Sequence, residues 1–474
     1  MNGKKRIFKS TITYFLGSVL SKIIVFFMLP LYTKYIPAAD MGYYDSSIAV
    51  ITFFASVLFL DIGSGIMRFM FEQKEQDNKK YAIYSGLAIF LISLILYIVI
   101  AILGAFTLEF EYIIWIIIYG FMLCLNNVYG YITRGYGANS LYAASGIVST
   151  IVTVACNLIF ILALKWDYKS LYISSIIAMV VHIIILEFKC KLLTNLSKKY
   201  FDKDLFKKML KFSLPLCVNS VAFWFLNSSN KIIVTTILGS EYNGYLAIAS
   251  RFTSILYLVS SCFQLAWQEL AYSRDNKLES TGIFYTKAFD LYLRILIAGL
   301  LLLIPLIRLG LIIYPNFINA QYSDSIVLIP LALTGTIMSI ASSFLGSIFG
   351  GIKKNNAIFI STLVGAIVNI GVIFALINIM GVMAANIAFI AGFTATVLIR
   401  TLILKKEINM KVKHWYFAAL LPILAAVIYV FNELNWVYNL LVFLAITVLC
   451  AFMLRPEIKE IIDKVKIRRK EKVK

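Results

Sequence analysis

Apolar runs recur along the chain, separated by short polar connections. A helix of about 20 apolar residues crosses the hydrocarbon core of a bilayer, so each run predicts a membrane span. Fourteen spans are predicted, at residues 10–33, 43–66, 81–104, 112–133, 141–164, 169–188, 213–237, 245–270, 288–307, 324–348, 356–378, 381–403, 414–432 and 436–454. The predicted fold is an all-α polytopic membrane protein. Several spans also carry polar residues at helical spacing. In 213–237 these are Asn219, Asn227, Asn230 and Lys231, with Phe223 among them. In 245–270, Ser250, Ser254, Tyr257, Ser261, Gln264 and Gln268 step by three or four. In 10–33 the stripe is Thr11, Tyr14, Ser18 and Lys22. A polar stripe on a greasy helix is the pattern of a cavity wall. Asn126 and Asn127 in the fourth span fit either such a wall or hydrogen bonding between helices.

Charges at membrane depth are costly and normally face a bundle interior or a watery path. Lys22, Lys231, Arg251 and Arg294 are the four cations inside spans. Lys22 is near mid-span, about 15 Å from either surface at 1.5 Å per residue, beyond the reach of a lysine snorkelling to the interface. The other three are nearer span ends, where snorkelling competes with a cavity role. Asp45, Asp61 and Asp290 have two readings, as interfacial charges in ion pairs or caps, or as carboxylates that hold a coupling cation.

Residues 10–68 and 212–274 share a layout: long helix, short turn with Gly-Tyr (Gly42-Tyr43 and Gly244-Tyr245), second helix, then a charged end. Each half continues through four more spans. Two parallel repeats with a site between them at mid-membrane form a transporter design. The organisation predicted is a first lobe at 1–190, a basic linker at 191–212, a second lobe at 213–405, an extra helix pair at 406–454 and an amphipathic basic tail at 455–474. Pro215 and Pro305 are expected to break helices, and Pro30 and Pro330 to kink them.

Composition adds charge to this picture. The chain of 474 residues is 61% hydrophobic and 14% charged, with a net charge of +20. Most of its 44 Lys and Arg fall in alternate connections, and positive residues stay cytoplasmic, which predicts both termini inside. The basic excess is therefore topological and calls for no nucleic-acid partner. The six cysteines form no CxxC pair and the two histidines, His182 and His414, are far apart in sequence, so no metal site or cofactor is expected. The basic start followed by an apolar run imitates a signal peptide, but its length and Lys22 mark a retained first helix. The short predicted external loops combine no acid, base and nucleophile, so no enzyme is expected.

The chain resembles bacterial repeat-unit flippases of O-antigen and capsule synthesis, within the multidrug/oligosaccharidyl-lipid/polysaccharide exporter superfamily. The resemblance covers most of residues 8–405. It rests on Met41-Gly42-Tyr43-Tyr44, Leu60-Asp61-Ile62-Gly63 followed by Arg68, Ser213-Leu214-Pro215, Asn230-Lys231-Ile232-Ile233, Leu238-Gly239 to Gly244-Tyr245, and Gln264-Leu265-Ala266-Trp267. It implies an isoprenoid-pyrophosphate-linked oligosaccharide as substrate, moved from inner to outer leaflet by alternating access. It also implies a bacterial plasma-membrane location, with polysaccharide polymerase and assembly proteins as partners beside the lipid bilayer. In that reading Lys22, Lys231, Arg251 and Arg294 would meet the pyrophosphate. Ser18, Asn126, Asn227, Asn230, Ser254, Tyr257 and Gln264 would line the cavity. Asp45, Asp61 and Asp290 are the candidates for ion coupling. A drug exporter of the same superfamily and a peptidoglycan-precursor flippase are the alternatives. The chain departs from the family at Asn230, where members often carry an acid, and at Glu269, where they often carry a proline. The first departure leaves Lys231 without an adjacent counter-ion in sequence.

Overall fold

The computed structural model describes residues 22–73, 75, 78–107, 111–192, 198–273, 281–352, 354–412 and 415–455. Ser18 and the tail from 456 onward lie outside the described residues. The helices in chain order are α1 (Leu29–Tyr35), α2 (Ala38–Leu58), α3 (Ile62–Glu72), α4 (Lys79–Thr107), α5 (Ile113–Gly135), α6 (Asn139–Leu158), α7 (Lys169–Cys190) and α8 (Lys203–Asn227). They continue as α9 (Ser229–Ile237), α10 (Ser240–Ser273), α11 (Thr281–Ile313), α12 (Ser323–Gly351), α13 (Asn355–Met380), α14 (Met383–Ile408), α15 (Trp415–Glu433) and α16 (Trp436–Met453). Eleven of these are long and apolar enough to cross a membrane. The protein is an all-α, multi-pass membrane protein.

The helices are apolar on nearly every side, because a membrane helix must satisfy its backbone internally and present hydrocarbon outward. Large aliphatic side chains remain exposed on the lipid-facing surface, among them Ile95, Ile367 and Val448. The first half packs α3 on α4 and α5, and α7 on α5 and α6. The second packs α13 on α14, and α12 on α10 and α14. The halves meet chiefly where α2 runs against α10. Helices α15 and α16 pack outside, on α11.

Three expected spans are interrupted. A helical stretch at 22–27 pauses at Met28 before α1, and Pro30 stands in the first turn of the new helix, where its missing N–H costs nothing. The span expected at 213–237 divides at Ser228 into α8 and α9. The span expected at 43–66 divides between α2 and α3, where Leu60 and Asp61 both take left-handed backbone, at φ 53° and 47°. Pro215 and Pro305, by contrast, sit inside continuous helices and break neither.

Candidate functional site between the two halves

The junction of α2 with α9 and α10 gathers the charges that sequence spacing singled out. The break at Ser228 places Lys231 in the first turn of α9. Its Nζ meets the Asp45 Oδ1 of α2 at 2.9 Å, an ion pair across the two halves. Lys231 therefore has a counter-ion after all, supplied by the opposite half rather than by its neighbour in sequence. Asp45 is the less exposed partner, at 14% against 29%. Its other oxygen, Oδ2, is buried without a hydrogen-bond partner.

One helix away, Arg251 projects from α10 toward the first half. Its charge acts on the phenols of Tyr32, Tyr44 and Tyr119. Among the described residues the Arg251 guanidinium has neither an ion-pair nor a hydrogen-bond partner. The tyrosines belong to a larger aromatic cluster. Tyr44 packs edge-on to Tyr172 with centroids 4.8 Å apart, and Tyr172 in turn contacts Tyr119 and Tyr168. Ser47 and Tyr172 share a hydrogen bond of 2.5 Å, and Asn157 donates to the Tyr32 hydroxyl at 2.9 Å. Tyr168, just before α7, donates to Glu111 at 2.6 Å; burial foremost, then this bond, pushes its phenol up, so it stays a donor. A guanidinium without an ion-pair partner among the described residues, facing hydroxyl-bearing rings, can receive an anion by bidentate contacts, with the polar rings beside it.

Beside this site the halves touch backbone to backbone. A Cβ added at Gly42 of α2 would sit 1.7 Å from the Ser240 carbonyl oxygen, and one at Gly244 of α10 would sit 2.0 Å from that of Ala38. Only glycine permits that crossing. Asn243 adds a bond of 2.7 Å from its Nδ2 to the Gly42 carbonyl. At the same end, Gln321 donates to Thr33 O at 2.6 Å and Tyr322 to Ile36 O at 2.9 Å. The end of the molecule bearing the α1–α2 and α9–α10 turns is thus closed.

The remaining predicted residues divide. Lys22 is half-buried on the stretch preceding α1. Arg294 and Asp290 do not face the central site. They pair with each other one helical turn apart on α11, at 3.2 Å, and the Arg294 Nη1 donates to the Met453 carbonyl of α16 at 3.3 Å. These two serve the seam with the outer helix pair. Asn230 is 5% exposed and its amide is paired reciprocally with Asn369 of α13, at 3.0 and 3.1 Å, with a further bond of 2.9 Å to the Ala385 carbonyl. Asn126 meets the ring of His182 at 2.6 Å, which makes it glue within the first half. Asn227 and Ser254 bond to carbonyls of their own helices, at Phe223 and Arg251. Tyr257 reaches Ser339 at 3.3 Å and Gln264 reaches Ser347 at 2.9 Å, both joining α10 to α12.

Sequence reasoning missed Arg400, placed at a cytoplasmic edge by its neighbours. It is 5% exposed inside the second half, donating to Ser361 at 2.9 Å, to Ser342 Oγ at 2.9 Å and to Thr362 at 3.0 Å. The hydroxyls at 342, 361 and 362 were the available signal, but their convergence on one guanidinium depends on tertiary packing. Among the described residues no group of three His, Cys, Asp or Glu could hold a metal ion.

The model of a known family, "Polysaccharide biosynthesis protein", matches residues 7–267, more than half of the chain. The chain belongs to the polysaccharide biosynthesis protein family. No protein of curated function matches it. Solved structures share its fold at low identity. A lipid II flippase MurJ in an inward closed conformation superposes with a TM-score of 0.72 at 15% identity, over 94% of this chain and 100% of that one. An inward-facing multidrug resistance MATE family transporter of the MOP superfamily gives 0.60 at 16%, over 84% and 94%. A MOP superfamily transporter from Pyrococcus furiosus, described as having a binding pocket of reverse polarity, gives 0.53 at 17%, over 85% and 96%. This member of the polysaccharide biosynthesis family accordingly shares its fold with those MurJ and MATE structures.

Proposed function

We propose that the protein is a flippase that carries an isoprenoid-pyrophosphate-linked oligosaccharide across the membrane by alternating access, with its diphosphate met at the junction of α2, α9 and α10. The observation that carries this reading is Arg251, unpartnered among the described residues and directed at the tyrosines of the opposite half. Lys231 lies on the neighbouring element and exchanges Asp45 for phosphate oxygens as the halves part. Tyrosine hydroxyls and rings suit sugars, which need both hydrogen bonds and flat apolar faces. A cationic drug fits poorly beside a guanidinium that is unpaired among the described residues, which disfavours the exporter alternative.

The lipid tail has its own place in this reading. Leu293, Ile297 and Leu301 of α11, Ile337 of α12, Val397 of α14 and Leu421 of α15 line an almost wholly apolar cavity of about 350 Å³ between the second half and the outer helix pair. Such a surface accepts an isoprenoid chain at no polar cost. With the basic connections cytoplasmic, the closed end faces outward, so the site is reached from the inner leaflet, where such lipids are loaded with sugar. The membrane potential then favours outward passage of an anion by about 2.3 kcal/mol per charge per 100 mV.

The test reconstitutes the full chain in vesicles with a fluorescent prenyl-diphosphate oligosaccharide and follows its exposure in the far leaflet. Protein-dependent exposure that Arg251→Ala abolishes, with unchanged folding, supports the reading. Uptake of organic cations without any lipid exposure would overturn it.

A further inference from the structure

Arg308 stands near the C-terminal end of α11 and is no part of the Arg251 site. Its guanidinium lies over the ring of Phe431 of α15, 5.6 Å from the centroid, and Phe431 is fully buried. The Arg308 Nε is itself buried and has no hydrogen-bond partner. Among the described residues the guanidinium has no ion pair either; Glu433, the carboxylate two positions after Phe431, is exposed and does not pair with it. Asn432, next to Phe431, shares the condition, with its Oδ1 buried and unpartnered.

An arginine at a span end commonly extends its head to the interface. Arg308 instead keeps its Nε enclosed against a neighbouring helix. Contact with a ring uses the face of a guanidinium and leaves its N–H edge for another partner. A buried donor without one is costly, and the acceptors that suit the planar fork are carboxylate and phosphate oxygens. An amide beside it can present its N–H2 group to the same oxygens.

The surroundings supply the rest of the ligand. Arg308 follows Leu301 by seven positions and Phe431 follows Leu424 by seven, about two turns or ~10 Å along each helix. Leu301 and Leu424 both line the apolar cavity of about 350 Å³. The cation therefore caps one end of a groove shaped for a hydrocarbon chain. Beyond Arg308, α11 ends at Ile313, and the chain enters the segment whose Gln321 and Tyr322 close the molecule on Thr33 and Ile36. The cap is thus at the closed end, the outer one when the basic connections are cytoplasmic. Tyr314 and Trp436 are exposed there, as aromatic residues at headgroup level are.

We propose that Arg308 and the cavity below it form an outer-leaflet site for a polyisoprenoid diphosphate, with the diphosphate on the guanidinium and the Asn432 amide and the chain in the cavity. Its role rests on the flippase reading and extends it. Arg251 receives the diphosphate from the inner leaflet, and Arg308 holds it where it leaves, while the chain keeps its groove. One guanidinium balances only part of the charge of a diphosphate, which suits a site that must release its ligand.

The test measures binding, not transport. The full chain carrying Arg251→Ala, which removes the central cation, is placed in nanodiscs of zwitterionic lipid and titrated with a fluorescent polyprenyl diphosphate that bears no sugar. Saturable binding is expected, weakened about ten- to a hundredfold by a further Arg308→Gln, the effect of a lost charge-assisted contact. Arg308→Lys keeps the charge without the fork and is expected to fall between, which separates a lost contact from a lost fold. Leu421→Trp fills the groove from its exposed rim and is expected to weaken binding with Arg308 in place. Binding insensitive to Arg308→Gln would overturn the proposal. So would displacement by inorganic diphosphate or by phosphatidylglycerol at the same concentration as by the unlabelled polyprenyl lipid, since the site would then take a free anion or any lipid phosphate. If the flippase reading alone fails, far-leaflet exposure is absent in vesicles while this binding remains. If the Arg308 site alone fails, exposure persists and binding ignores Arg308.

Discussion

Lys231 of the second half and Asp45 of the first hold each other at 2.9 Å, with Asp45 only 14% exposed. The pair joins two bodies that must separate for the site to change sides. Removing one partner leaves the other charge half-buried; a fully buried pair would lose about 3–5 kcal/mol. Partial exposure reduces this, so Lys231→Ala is expected to lower stability by about 1–3 kcal/mol. The reversed pair, Asp45→Lys with Lys231→Asp, is expected to recover most of that stability but not the transport of an anion, since the cation now stands on the other half. Thermal unfolding in detergent and the lipid-exposure assay separate the two effects.

Gly42 and Gly244 set a second condition. Each backbone sits where the other's side chain would have to be, with distances of 1.7 and 2.0 Å to facing carbonyl oxygens. Gly244→Val is expected to force α2 and α10 apart at the closed end, at a cost of about 1–3 kcal/mol for overpacking. A cysteine placed at Ala38, buried here at 5% exposure, is then expected to react with a membrane-impermeant thiol reagent in the Gly244→Val protein but not with Gly244 present. Equal reactivity in both would show that the glycine crossing does not seal that end.

Much of this was legible in the sequence, and the part that was not has a physical reason. The spans came from apolar runs, since twenty apolar residues have few other uses. The paired Gly-Tyr positions, expected in turns, lie instead within α2 and α10, where a glycine in both repeats answers one steric demand of their crossing. Partners were not legible. Lys231 finds Asp45 across 186 positions, while Arg294 finds Asp290 one turn away. A charge within a span announces only that it needs a partner, and whether that partner is local or distant is decided by packing. The helix breaks at Ser228 and at Leu60–Asp61 were also hidden, because neither carries a glycine or a proline.

Asn230 shows how a family acid can be replaced. Its amide both donates to and accepts from Asn369, and donates again to the Ala385 carbonyl. Asn230→Asp replaces a buried donor with an acceptor facing two acceptors. Each buried group left unsatisfied costs about 1–3 kcal/mol, so a loss of about 2–5 kcal/mol is expected on thermal unfolding. An Asp with unchanged stability would mean that the amide pairing contributes nothing.

Arg400 gives the sharpest contrast between charge and geometry. One guanidinium reaches hydroxyls on α12 and α13 from α14, through Ser342, Ser361 and Thr362. Lysine carries the same charge but only one nitrogen, and a compact ammonium cannot span acceptors that a planar fork reaches at once. Arg400→Lys is therefore expected to destabilise by about 2–4 kcal/mol, since a buried charge loses most of its hydrogen bonds. Arg400→Met, which removes the charge and keeps the length, is expected to cost less than Arg400→Lys. Ser361 and Thr362 already bond to the Ile358 carbonyl at 2.9 and 2.8 Å and can keep those bonds without the arginine. Unfolding midpoints of the two variants side by side decide the matter. If Lys proved the milder change, the positive charge rather than the fork would be what holds α12, α13 and α14 together.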